Sequence, residues 1–154
     1  MIACDQDFLK AIELVERLAE QVQKASEEHR RVDEVEQLVF RALLTVGFHL
    51  LKGFVANAGD GDVGETFAVP VSTDQGTPDS DAAAPTTHVW RRLTEPHTRR
   101  YVSIFGELEI TRYVYGTREG QRIEAIPLDA VLGLPAGDFS YVLEDWQQRL
   151  CVKE

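Results

Sequence analysis

Apolar residues recur at alternating steps of four and three near the start of the chain, at Phe8, Ile12, Val15, Ala19 and Val22, the spacing that keeps them on one face of an α-helix. A second run with the same period follows at Val32, Val35, Val39, Ala42 and Val46, and Leu38, Leu43, Leu44, Leu50, Leu51 and Phe54 widen its apolar face. No Gly or Pro interrupts Asp5 to Val46. The pattern predicts a helical hairpin over residues 1–57, with the charged stretch Glu27 to Arg31 as its connection and Asp33 with Glu36 as a capping box. An unbroken helix is the alternative; at 1.5 Å per residue it would run about 75 Å and need a partner chain. Either way the wide apolar face points to self-association, or else to burial against the rest of the chain.

The pattern then changes. Residues 58–88 are rich in Gly, Asp, Ser, Thr, Pro and Ala and read as an acidic flexible linker, with a short strand conceivable at Thr66 to Val71. Residues 89–137 form a β-rich unit. Val102 to Phe105, Leu108 to Tyr115 and Arg122 to Ile126 are rich in Val, Ile, Phe and Tyr, with turns at Gly106-Glu107 and Gly116 to Gly120. A three-stranded antiparallel β meander is the simplest arrangement. Pro127 closes the third strand, Asp129 is expected to cap a short helix through Leu132, and Gly133 with Pro135 stops it. Over residues 138–154 a C-terminal helix begins at Asp138 or Ser140 and is expected to bury Tyr141, Leu143, Trp146 and Leu150. The fold class is therefore α+β.

With 154 residues and 44% hydrophobic content, the chain has material for one ordinary core or two small units. The apolar run Ala42 to Val55 is interrupted by Thr45, Gly47, His49, Lys52 and Gly53, short of the roughly 18 uncharged residues of a membrane span. Asp5 and Asp7 stand where a secretory signal would be positive, so no membrane partner and a cytoplasmic location are expected. Cys4 and Cys151 lie near opposite ends with no CxxC spacing, and both are read as free thiols.

A net charge of −10 argues against nucleic acid, since phosphate affinity comes largely from Lys and Arg. Its distribution reopens the question. Between residues 89 and 122, Arg91, Arg92, Arg99, Arg100, Arg112, Arg118 and Arg122 face only Glu95, Glu107, Glu109 and Glu119, a local balance of +3. His88, Trp90, Arg91, Arg92, His97, Arg99, Arg100 and Tyr101 form a basic and aromatic cluster, the residue types that fix phosphates and stack on exposed bases. The competing reading is a partly solvated strand entry, with Trp90 packed into the core and the arginines paired to the acids of the helices.

Other motifs weigh less. Gly59-Asp60-Gly61-Asp62-Val63-Gly64 spells GxGxxG, but a dinucleotide site needs a strand before it and a helix beginning within it. Its Asp60 and Asp62, with Glu65, would repel pyrophosphate; they fit weak Ca²⁺ binding at best, and an acidic helix-ending turn is the simpler account. Glu107 with Glu109, and Glu144 with Asp145, lack the neighbouring His or third acid that carboxylate chemistry needs. His88 and His97 lack metal-binding companions, and His49 is read as a satisfied core histidine. No GxSxG, HExxH, P-loop or Cys/His dyad is present, and neither a catalytic residue nor a cofactor is assigned.

From Arg99 to Leu150, beginning RRYVSIFGELEITRYVYG, the strands, turns and helix starts follow an order that resembles the N-terminal region of the ISKra group of insertion-sequence transposases. The resemblance extends upstream through Pro96-His97, the Gly59 to Gly64 segment and Arg31-Val32-Asp33-Glu34-Val35-Glu36. It implies a carboxylate-triad, DDE-type enzyme family whose metal-binding acids lie in a ribonuclease-H-like domain downstream of such a segment. The expected function is non-catalytic: engaging transposon-end DNA and assembling protomers as a homo-oligomer. The DNA-contacting set would be Trp90, Arg91, Arg92, His97, Arg99, Arg100, Arg112 and Arg118. At Thr117-Arg118-Glu119-Gly120 some members of the wider group carry a zinc-knuckle CxxCG, whereas this chain has no cysteine there. The alternative is a truncated or domesticated remnant that dimerises without binding DNA.

Overall fold

The computed structural model describes residues 3–70, 87–117 and 123–151. The expected hairpin is there: α1 (Ala3–Glu27) and α2 (Val32–Asn57) lie side by side. The reversal is made by backbone bonds, Glu28 N–H to the Lys24 carbonyl and Arg30 N–H to the Ala25 carbonyl, with His29 between them at φ +53°. The capping box is not used. Arg31 is the N-cap of α2, no side chain caps the helix, and Asp33 sits inside its first turn, where a negative charge favours the helix dipole.

The two helices meet at Ala11, Leu18 and Ala25 on α1 and at Val46 and Gly53 on α2, all buried. A Cβ at Gly53 would stand 3.0 Å from the Phe8 ring, so the missing side chain is what lets the ring lie on α2. Beside it, Asp7 accepts from His49 Nδ1 at 2.8 Å and from Lys52 Nζ at 3.2 Å. His49 is thus the satisfied histidine its apolar setting predicts. Burial pushes the Asp7 carboxyl up, but the bonds from His49 and Lys52 outweigh it and hold it below the usual carboxylate range.

The expectation that the run Ala42 to Val55 falls short of a membrane span does not hold for the whole helix: by length and composition alone, α2 is long and apolar enough to cross one. In the fold it is a shared wall: one face meets α1 and another meets the β unit. There Gly47 faces the Phe105 ring and Phe48 lies against Gly106.

The β unit departs from a simple meander. β1 (Thr66–Pro70), β2 (Thr87–Arg92), β5 (Tyr115–Gly116) and β6 (Ile123–Ala125) form an antiparallel sheet in the order β1-β2-β5-β6. β3 (His97–Ser103) and β4 (Gly106–Arg112) form a separate hairpin. The expected middle strand, Leu108 to Tyr115, is therefore split after Arg112. The break arises because the backbone is claimed from outside: Tyr113 N–H donates to the Asp60 carbonyl and the Val114 carbonyl accepts from Leu93 N–H. Val114, Tyr115 and Gly116 are all buried, so the period-two alternation ends where the strand changes sheets. The outlying strand foreseen at Thr66 to Val71 exists as β1, paired with β2 in register Phe67 to Trp90.

α3 (Pro127–Leu132) begins with Ile126 as its extended N-cap and Pro127 in its first turn, not with an Asp129 cap. Gly133 closes it in the left-handed conformation, as expected. α4 (Tyr141–Cys151) is started by Ser140, whose Oγ accepts from Leu143 N–H at 3.1 Å. Its apolar residues are not buried as expected. Tyr141, Trp146 and Leu150 are exposed and Leu143 is only half-buried; α4 touches β3, and just ahead of the helix Phe139 bridges Val102.

Candidate nucleic-acid interface

The described residues of the expected DNA-contacting set do not form one surface. Successive residues of β2 point to opposite faces, so His88, Trp90 and Arg92 share one side and Arg91 takes the other. The His88 and Trp90 rings stack with centroids 5.3 Å apart and planes 3° from parallel. His88 is exposed and Trp90 half-buried, so the stacked pair has one wet end.

Arg92 is occupied. It pairs with Asp62 and lies over the Tyr113 ring, 4.9 Å from its centroid. The Asp62 carboxyl is held below its usual range, first by the Gly64 N–H and then by Arg92. The Gly59 to Gly64 segment thereby acquires a structural role. Asp60 Oδ1 accepts from Asp62 N–H and Asp62 Oδ1 from Gly64 N–H, two Asx turns that bend the loop around the fully buried Tyr115. The Tyr115 hydroxyl accepts from Val63 N–H at 2.9 Å and donates to the Gly64 carbonyl at 2.9 Å. Gly61 adopts φ +73° and a Cβ there would come 2.8 Å from Leu128, a position only glycine fits. Residues 58–65 are thus a docked clasp on the sheet, and of the acids that suggested a cation Asp60 and Asp62 are spent on turns and on Arg92.

Arg99 and Arg112 project from the same face of the β3–β4 hairpin onto one acid. Arg112 Nε donates to Asp129 Oδ1 at 2.7 Å and Arg99 Nη1 to Asp129 Oδ2 at 2.9 Å. Arg99 also donates to the Pro135 and Gly137 carbonyls, and Arg112 to that of His97. Both guanidiniums are largely buried, and this bonding turns them inward, away from any phosphate. Arg100 is exposed but bound to Glu107 at 2.8 Å. His97 is exposed at the start of β3. Arg118 lies outside the described residues. Arg91 therefore remains the only described arginine of the set without an acidic partner.

The acids that neutralise the cluster, Asp62 and Asp129, were legible in sequence only as a turn and a cap. The signal that identifies Asp129 is arithmetic: it is the sole acid between Ala125 and Gly137, opposite a strand pair rich in arginine. Among the described residues no group of three or more His, Cys, Asp or Glu side chains converges on a common point.

No family model, no curated protein and no solved structure matches this chain.

Proposed function

We propose that this chain is a non-catalytic assembly part of a transposase, acting in the cytoplasm, and that its two-helix unit joins protomers. The family rests on the sequence resemblance. The assembly role is carried by one observation: Leu9, Ile12 and Val15 of α1 with Phe40, Leu43, Leu50 and Phe54 of α2 are 44–64% exposed along one side of the hairpin. Isolated exposed apolar residues are ordinary, but a contiguous stripe of this length marks an interaction surface. Some of its flanking charges are already paired, Lys10 and Arg17 with Glu13 and Arg30 with Glu34, which lessens the repulsion between two copies of an acidic chain. Light scattering should give a dimer or larger for the natural chain, and a monomer with unchanged helical content for Phe40→Glu combined with Leu43→Glu. A natural chain that stays monomeric at high concentration overturns the reading.

DNA engagement is the second reading, favoured by the half-exposed Trp90–His88 stack on one side of β2, with Arg91 on the opposite side as a separate phosphate contact. In a mobility-shift assay with terminal-repeat DNA, Arg91→Ala should reduce the salt slope by about one. A chain that ignores such DNA even at low salt is an assembly module alone.

A further inference from the structure

Among the described residues, the β3–β4 hairpin has one edge covered and one edge open. On β3, Val102 N–H donates to the Asp138 carbonyl at 2.8 Å, and the Val102 carbonyl accepts from Ser140 N–H at 2.9 Å. Residues facing each other without mutual hydrogen bonds in an antiparallel ladder turn both backbone groups outward. Glu107, the cross-strand partner of Val102, therefore directs its N–H and C=O away from β3. Alternation gives Glu109 and Thr111 the same orientation. The next residue in this series, Tyr113, bears out the direction, since its N–H donates to the Asp60 carbonyl at 2.8 Å. The chain thus lays a short piece of its own backbone on this edge and leaves the rest open. Among the described residues, the outward N–H and C=O groups of Glu107, Glu109 and Thr111 have no hydrogen-bond partner.

A groove of about 490 Å³ runs beside that edge, and its far wall is one face of α2 formed by Phe48, Lys52, Val55 and Ala56. An edge strand facing a helix across a groove is the arrangement in which an extended peptide adds itself to a sheet. We propose that this groove binds an extended peptide in which apolar and basic residues alternate, taken up as an added strand on β4. On the side of the sheet that carries buried Leu108 and Ile110, its apolar side chains would lie toward Val55 and Ala56. On the other side its basic side chains would meet Glu107 and Glu109. Arg100 is engaged by Glu107, and Glu109 is exposed with no ion pair among the described residues, so an incoming Lys or Arg gains a partner there. Charge disfavours the other occupants. Residues 71–86 contain Asp74, Asp79 and Asp81 and no base, and β4 of a second copy would set glutamate against glutamate.

The test uses the full chain and a fluorescent, end-blocked peptide of alternating Lys and Val. Only one alternate set of amides in an added strand faces β4. N-methylation of that set should weaken binding at least about tenfold, and methylation of the other set by less than about threefold. Amide exchange should slow at Glu107, Glu109 and Thr111 when the peptide binds. Glu109→Lys should weaken the unmethylated peptide while leaving the exchange pattern of the free protein unchanged elsewhere. Absence of binding, equal binding of the two methylated peptides as in mere charge attraction, or no protection along β4 would each overturn the proposal.

Discussion

Asp129 accepts from two guanidiniums at once, and both are largely withdrawn from water. Neutralising that single carboxylate strands two buried cations, a class of change that costs about 3–5 kcal/mol. Asp129→Asn should therefore lower the urea midpoint far more than Glu107→Gln, whose partner Arg100 is exposed. Tyr115→Phe tests the clasp. It removes one hydroxyl that satisfies both Val63 N–H and the Gly64 carbonyl, and the expected loss is about 1–3 kcal/mol by denaturation. Asp7 supplies a pH dependence. Its carboxyl titrates below the usual range in the folded chain, so its contribution is fully present above a pH of about 4 and is lost as the pH falls through the depressed value. The Tm difference between the natural chain and Asp7→Asn should accordingly be largest near neutrality and shrink in acid. The pairings of Asp129, Tyr115 and Asp7 could not be read from spacing, because each joins residues at least 17 positions apart.

At the scale of elements, local patterning carried most of the helical architecture. The steps of three and four found α1 and α2, and Gly133 with Pro135 marked the end of α3. Capping went differently at α2 and α3, where backbone geometry starts the helices and the nearby carboxylates face solvent or arginines. The hairpin reversal holds His29 in the left-handed region, which costs a non-glycine residue about 1 kcal/mol. His29→Gly should recover a similar amount in thermal unfolding without moving either helix. Strand pairing was less legible than strand content, since Leu108 to Tyr115 is one β-prone run that two sheets share. Its division depends on Asp60 and Leu93 claiming the backbone on either side of the break, contacts that only the folded chain creates. Gly47 shows the same dependence. A Cβ there would meet the Phe105 ring at 2.5 Å, so Gly47→Ala should destabilise the chain, and Phe105→Ala should restore part of the loss in a double-mutant cycle.

Taken whole, the molecule is acidic with an apolar flank, and Arg92, Arg99 and Arg112 tie its own segments together. That role was open in the sequence, where the cluster from Trp90 to Arg118 supports a phosphate-binding face and an internally paired one equally well. The amino-acid order by itself determined the α+β class, the two-helix unit, the acidic turn at Gly59 to Gly64 and the excess of apolar surface, because periodicity, glycine placement and composition act over a few residues. Tertiary structure alone decided that Asp62 and Asp129 hold Arg92, Arg99 and Arg112, that the clasp closes on Tyr115, and that among the described residues the β4 edge stays open beside α2. A charge or a backbone amide has no assigned partner until distant segments meet, and burial then makes leaving it unpaired too costly.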